Sequence, residues 1–439
     1  MNVLLCSTGI NSLGETFTLA LFGKELMGFG HHCFFIAPKL GKDYLLTFGF
    51  REDQILVLSN DSKTNNCFDS DTNKNILQQF AKKISPKYII VADWHHYKED
   101  GYSNNNTYSI HWFDKNIPMG TFDHVGFAPE GKIVKQDEIA QAIELKTKRD
   151  FQEKEFPPMH DRFSFIIRPC PHHDNTKQFD KNIFYWGIYK DKLEKNVNNI
   201  TQIRNKYGLN ENSKLIFHAI GLWQERVIDR LFEELNVNYN YYEETFFPIL
   251  LHYLSKVDEN FTYISLSGKT KVENVINTKN IKFIKIPPLK HEEFMQHLLA
   301  CDLFLTDNLM SSNLGKAVFS NILSVVFKNS TTNVNGKIRS PFKISNFITD
   351  KIKTLIENDL FFPYRSFPIG LCELEEMYTN NGFADCFVET EFFDEESNIE
   401  LFRNLFSNTG SFQKIFENQD KYIYNNKNLL SSEEILNHI

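Results

Sequence analysis

Short apolar runs alternate along this chain with longer segments of helical periodicity, and the alternation is clearest between residues 299 and 329. Leu303, Phe304 and Leu305 form a run as long as a buried parallel strand. It stops at Thr306, Asp307 and Asn308, polar residues where the strand's carboxyl end would open. Ser311, Ser312 and Asn313 supply N-cap chemistry for a helix through Lys316, Ala317 and Phe319, and residues 323–327 predict the next buried strand. A βαβ unit of this kind turns a helix N-terminus toward the crevice beyond the strand ends, where its unpaired N–H groups attract phosphate. Lys316, one turn in, would add a point charge to a diphosphate. Taken alone, the same pattern also describes an ordinary βαβ unit whose serines only cap the helix.

The alternation begins at the first residues. Residues 2–6 predict a strand, 7–14 a loop of small residues, 15–28 a helix with Phe17, Ala20, Leu21 and Leu26 on one side, and 32–37 a second strand. Further strands are predicted at 54–58, 88–92, 118–122 and 163–167, with helices at 75–84 and 135–155, while 182–187 reads as either a last strand of the first domain or an interdomain segment. Pro169 and Pro171 break the pattern and suggest the exit from a first domain. It restarts with strands at 214–220, 261–266 and 281–286 and helices at 196–208, 226–235, 242–254 and 291–300, Pro248 either kinking the 242–254 helix or marking its first turn. Beyond Asn329 helices are predicted at 348–357, 373–377 and 398–406 and at the chain's end. The expected fold class is α/β, with two Rossmann-like domains at 1–175 and 176–345 expected to face a central cleft. A C-terminal helical tail, 346–439, is expected to pack across both.

Composition narrows the class. At 439 residues the chain exceeds one ordinary core, and a hydrophobic share of 41% with 14% aromatics argues for a folded protein. A net charge of −8 speaks against a general nucleic-acid binder. Cys6, Cys33, Cys67, Cys170, Cys301, Cys372 and Cys386 are scattered, odd in number and contain no CxxC, as reduced thiols would be in a reducing compartment. The start shows no basic segment before an apolar run, and no run approaches ~20 residues, so neither a signal peptide nor a membrane span is expected and the location read is cytoplasmic.

Candidate chemistry gathers where predicted strands end. The first loop offers Thr8, Gly9, Asn11 and Ser12; the dinucleotide fingerprint GxGxxG is absent, only Gly9 and Gly14 remaining, so the loop points to some ligand but not to NAD in particular. The strand at 88–92 runs into Asp93, Trp94, His95 and His96. Adjacent histidines on an extended chain point in opposite directions, which is poor geometry for one metal ion. The strand at 118–122 ends in Asp123 and His124; a carboxylate can fix the tautomer of a histidine base, but adjacent residues are expected to serve separate partners. After the strand at 214–220 come Gly221 and Trp223, and Ser267 follows the strand at 261–266.

Two Rossmann-like halves, a Pro-rich connector near 170 and a helical tail resemble the GT-B glycosyltransferases. STGINSLGETFTLALFGKELMGFGHHCFFIAP is similar to that family's opening unit, a Gly-rich loop leading into a helix and then a strand ending in Ala-Pro. IPPLKHEEFMQHLLACDLFLTDNLMSSNLGKAVFSNILSVVF is similar to its nucleotide-sugar segment. The match covers most of residues 1–40 and 214–328 and is one of architecture more than of invariant letters.

The resemblance implies a glycosyltransferase with a nucleotide-sugar donor as co-substrate, no other cofactor and no bound metal. The donor would lie on the C-terminal half with its diphosphate at Ser311, Ser312, Asn313 and Lys316. Asp307 and Asn308 would sit at the cleft's edge, with Gly221, Trp223 and Ser267 nearby and Trp223 stacking on a base or sugar. The acceptor, of unknown identity, would lie against the N-terminal half, and a homodimer is compatible with this picture. Family members with a catalytic His often carry it in the first loop, where this chain has Asn11 and Ser12. The donor-ribose Glu is not evident either, so the base would come from Asp93, His95, Asp123 or His124. A nucleotide-sugar epimerase or hydrolase, and a non-catalytic binding or accessory protein, are the alternative readings.

Overall fold

A computed structural model describes residues 1–8, 13–58, 70–103, 107–134, 154–173, 181–210, 213–334, 336–367, 381–407 and 410–439. The chain divides into two compact units: the first holds Met1–Ile133, Glu155–Lys190 and Tyr424–Ile439, the second Val134–Lys154 and Asp191–Ile423.

The first unit is built on seven strands: β1 (Asn2–Cys6), β2 (His32–Ile36), β3 (Ile55–Leu56), β4 (Tyr88–Asp93), β5 (Met119–Phe122), β6 (Phe165–Cys170) and β7 (Ile183–Gly187). They lie in the order β3-β2-β1-β4-β5-β6-β7, every neighbouring pair parallel. Val3, Leu4, Leu5, Ile89, Ile90 and Val91 are fully buried, as strands covered on both faces require. β1 stands between β2 and β4, so the direction of winding reverses there, and such switch points are where doubly wound folds bind ligands beyond the strands' carboxyl ends. The helix Gly14–Gly28 follows β1. It is buried on nearly all sides over its first turns, with Thr16, Phe17, Thr18, Leu19, Ala20, Phe22 and Leu26 inside, so its environment is more central than a one-sided apolar stripe suggests. The last helix, Ser432–His438, belongs to this unit; Ser431 and Glu434 form its capping box, and Ile435 and Leu436 enter the core.

The second unit repeats the plan with β8 (Lys214–Ala219), β9 (Phe261–Leu266), β10 (Asn274–Asn277), β11 (Ile281–Ile286), β12 (Leu303–Thr306), β13 (Leu323–Lys328) and β14 (Val388–Glu391). Their order is β10-β11-β9-β8-β12-β13-β14, parallel except for β10 against β11. β8 marks the switch of winding, between β9 and β12. The α/β class with two doubly wound sheets is the one the sequence predicts.

Four features depart from the periodicity. β10 reads NVIN and is exposed at every position, so no apolar run announces it. β14 reads VETE because its edge carries ion pairs: Arg365 Nε lies 3.1 Å from both oxygens of Glu389, and Lys328 Nζ 3.6 Å from Glu389 Oε2. The helix Lys39–Thr47 buries only Gly41 and Leu45. Residues Tyr242–Phe246 form a π-helical turn ahead of the α-helix Phe247–Ser255, so Pro248 marks a first turn and no kink. The helix predicted at 135–155 falls on residues outside the described ones, apart from its last two, which open the strand Lys154–Phe156; the one at 373–377 lies wholly outside them.

Candidate functional site

In the first unit the polar groups collect at the carboxyl ends of β1, β4, β5 and β6. Asp93 closes β4 and His124 follows β5, and the two meet: Nδ1 of His124 lies 2.8 Å from Asp93 Oδ1 and 2.9 Å from Oδ2, and the His124 backbone N–H donates to Oδ1 at 3.1 Å. The other imidazole nitrogen, Nε2, is 3.1 Å from the hydroxyl of Thr18 on the helix Gly14–Gly28. Burial by itself would raise the pKa of Asp93, but the charge and hydrogen bond of His124 outweigh it and hold it down at about 2. Burial likewise opposes a charged His124, and Asp93 overcomes it, leaving the imidazole's pKa above its usual value. A histidine whose Nδ1 is fixed by a buried carboxylate and whose Nε2 meets a hydroxyl is arranged for proton transfer at Nε2.

Asp123, adjacent in sequence, has a different task. Its side chain is fully buried and accepts the N–H groups of Gly126 at 2.7 Å, Phe127 at 3.3 Å and Ala128 at 3.2 Å, with Arg168 Nε at 3.3 Å. Burial raises its pKa against the pull of Arg168. Its carbonyl meets His173 Nε2 at 2.7 Å. Asp123 thus shapes the loop that carries His124. His95 is half-buried, its ring 5.1 Å from that of Phe156 and 4.3 Å from that of His96.

The same edge holds groups that the sequence reading passed over. Glu15, in the first turn after the small-residue loop, accepts the Thr8 N–H at 3.0 Å and lies 3.2 Å from His96 Nε2. The His172 ring stands 5.4 Å from that of His124, and burial drives the His172 pKa well below its usual value, with the charge on His124 adding to the effect. Glu15 sits among small polar residues, where an acidic side chain at a buried helix start was the available signal. Gly9, Asn11 and Ser12 lie outside the described residues. Among the described residues no group of three or more His, Cys, Asp or Glu side chains is placed to hold a metal ion.

In the second unit the helix Ser312–Phe319 starts where β12 ends, as the sequence predicts. The Ser311 hydroxyl accepts the Asn313 N–H at 3.3 Å, and Ser311, Ser312 and Asn313 are half-exposed. Lys316 is buried, its Nζ 3.0 Å from Asn313 Oδ1 and 4.9 Å from the centroid of the Phe294 ring. That burial lowers its pKa to about 7.

Asp307 is 1% exposed and committed to the protein: Gln224 Nε2 donates to it at 2.8 Å and the Tyr242 hydroxyl at 3.0 Å. Asn308 is equally enclosed, its Oδ1 accepting from Ser366 at 2.8 Å and from Met310 N at 3.0 Å. These two order the turn before the helix start. Gly221 precedes the helix Leu222–Glu234, and a Cβ on it would come to 3.2 Å from the Trp223 indole nitrogen, which folds back over it. Ser267 is buried and donates to Glu225, a residue the sequence reading did not single out.

A family of unknown function (DUF6365) has a model that matches residues 22–439. No curated protein matches the sequence. Among solved structures, the spinosyn forosaminyltransferase SpnP is 10% identical, covers 100% of this chain and 97% of its own, and superposes with a TM-score of 0.50. A glycosyltransferase from Rickettsia africae ESF-5 is 12% identical over 99% of this chain and 96% of its own, at a TM-score of 0.49. The spinosyn rhamnosyltransferase SpnG complexed with thymidine diphosphate is 9% identical over 100% of this chain and 99% of its own, at 0.47. At such identity the likeness to SpnP shows the fold, and the fold is GT-B. No described helix is long and apolar enough to cross a membrane.

Proposed function

The chain belongs to the family of unknown function DUF6365, and we propose that it is a glycosyltransferase that moves a sugar from a nucleotide-sugar donor to an acceptor hydroxyl. The observation that carries this reading is the His124–Asp93 pair at the carboxyl edge of the first sheet of a GT-B fold. SpnP, which shares that fold, is by name a forosaminyltransferase.

In this reading the acceptor hydroxyl approaches His124 Nε2, near Thr18. Its oxygen attacks the anomeric carbon, its proton passes to Nε2, and Asp93 compensates the imidazolium that forms. The bond from the anomeric carbon to the diphosphate breaks, and the diphosphate leaves with the electron pair. The helix start at Ser312, with its first-turn amides, and the Lys316 amine receive that charge in place of a metal ion. Asp307 and Asn308 hold the helix start in position, and Gly221 and Trp223 flank the donor. Glu15 and His96 lie on the acceptor's side.

A thermal-shift panel of nucleoside diphosphates and nucleotide sugars tests this, since a ligand at about 100 times its dissociation constant adds about 2.7 kcal/mol. At least one nucleoside diphosphate is expected to stabilise the protein. Ser312→Ala with Lys316→Ala is expected to weaken diphosphate binding more than nucleoside binding. No shift across the whole panel overturns the reading.

A further inference from the structure

The hydroxyl of Thr18 meets two groups. Its Oγ1 donates to the carbonyl of Gly14, one turn back in the same helix, at 3.2 Å, and lies 3.1 Å from His124 Nε2. A bond of that kind to the preceding turn is a favoured setting of a helical threonine. A hydroxyl has one proton and two lone pairs. With the proton on the Gly14 carbonyl, which only accepts, Oγ1 has only a lone pair to turn to Nε2, and Nε2 must be the donor. At the other end of the ring Nδ1 faces both oxygens of Asp93, at 2.8 and 2.9 Å, and an ionised carboxylate also only accepts. Both ring nitrogens therefore carry protons, and the hydrogen bonds describe His124 as an imidazolium.

The charges around the ring agree with that count. Burial opposes the imidazolium, while Asp93, Asp123 and Glu15 favour it. His172, its ring 5.4 Å away, and His173 are kept neutral, chiefly by burial, so neither sets a second cation beside it. Thr18 itself is 4% exposed, so water does not readily replace its hydroxyl.

We propose that Thr18 is a positioning residue for sugar transfer: its hydroxyl is kept on the Gly14 carbonyl so that its lone pair accepts the N–H formed when His124 Nε2 takes the acceptor's proton. The acceptor's O–H bond breaks, the Nε2–H bond forms, and the proton of Thr18 stays on Thr18. With the ring neutral, the lone pairs of Nε2 and Oγ1 face each other unless the hydroxyl turns, so the arrangement favours the charged ring and makes Nε2 the stronger base. Asp93 and Thr18 then hold the imidazolium from opposite ends. The use of this hold in transfer rests on the transferase reading; the hold itself does not.

Heteronuclear NMR of the full-length protein with labelled histidine rings tests it, the His124 signal being identified by its loss in His124→Gln. At pH 6.5, the usual value for the group, both ring nitrogens of wild-type His124 are expected to carry protons. Thr18→Val keeps the branched shape and removes the hydroxyl. It is expected to lower the midpoint of the His124 titration by about 1 in pH, the size that a hydrogen bond to a charged group supplies. Thr18→Ser is expected to bring the midpoint back toward the wild-type value. A packing role alone would give the reverse order, with Thr18→Val the closer to wild type. A His124 ring that is neutral at pH 6.5, a midpoint unmoved by Thr18→Val, or that reverse order each overturns the proposal, and each can occur with nucleoside diphosphate binding intact. Silence of the wild type across the nucleotide panel overturns the transferase reading instead, and with it the use of Thr18 in transfer.

Discussion

The imidazole of His124 stands 2.8 Å from the carboxylate of Asp93, a residue 31 positions away, and not against its neighbour Asp123. Two adjacent strands bring the pair together, and the chain uses the two consecutive residues for unlike purposes: Asp123 anchors a loop and His124 is left with Nε2 at a hydroxyl.

This pair predicts a pH–rate limb. Nε2 accepts the acceptor's proton only while the imidazole is neutral, so transfer rises with pH as His124 loses its proton. Because Asp93 raises the His124 pKa, that limb lies above 6.5, the usual value. Asp93→Asn removes the charge that raises it, so the limb moves down in pH while the plateau falls by about 10²–10⁴, the range of general acid–base contributions. Histidine proton resonances followed through a pH titration check the shift independently of turnover.

Lys316 predicts a proton linkage. With its pKa lowered to about 7, the amine is mostly neutral at pH 8. A diphosphate at the helix start favours the charged amine and raises that pKa, so binding at pH 8 takes up a proton, while binding at pH 6, where the amine is already charged, takes up none there. Calorimetry in two buffers of different ionisation enthalpy measures the uptake. Lys316→Met is expected to abolish it.

Much of the frame was legible because the physics was local. Runs such as 303–305 and 88–92 are apolar without interruption since both faces of those strands are covered, and Ser311 behaves as the cap its sequence position implies. What stayed hidden depends on distant partners. β14 carries Glu389 and Glu391 because Arg365 and Lys328 neutralise them across the sheet edge. Asp307 reads as a polar site residue, yet Gln224 and Tyr242, from separate elements, absorb it into the interior. Glu15 is buried at a helix start and finds His96 across 81 residues, a pairing no spacing rule announces.

Gly120 on β5 predicts an intolerant position. A Cβ there would come within 2.0 Å of the Phe165 ring on β6, itself fully enclosed. The ring cannot turn aside without displacing its neighbours, since close-packed interiors hold few voids. Gly120→Ala is expected to destabilise the first unit by about 1–3 kcal/mol, as overpacking does, and chemical denaturation followed by tryptophan fluorescence, with Trp94 and Trp186 in that unit, reads the change. Phe165→Leu in the same chain would recover part of the loss.

Glu25 predicts how the chain's last helix is held. Its Oε2 accepts the Trp186 indole N–H at 2.8 Å and the Ser432 backbone N–H at 2.9 Å, joining the helix Gly14–Gly28, β7 and the start of the helix Ser432–His438 within one unit. Trp186 is 1% exposed, so an unmet indole N–H there carries its full desolvation cost. Glu25→Ala leaves both donors without that acceptor and is expected to cost about 1–3 kcal/mol. Glu25→Gln keeps an acceptor oxygen of the same reach and is expected to cost less. The two variants separate the hydrogen bonds from the charge: equal losses would mean that the carboxylate's charge holds the helix start. Hydrogen exchange over residues 431–438 should rise in Glu25→Ala before the rest of the unit opens, because Ile435 and Leu436 are then the helix's main remaining hold on the core.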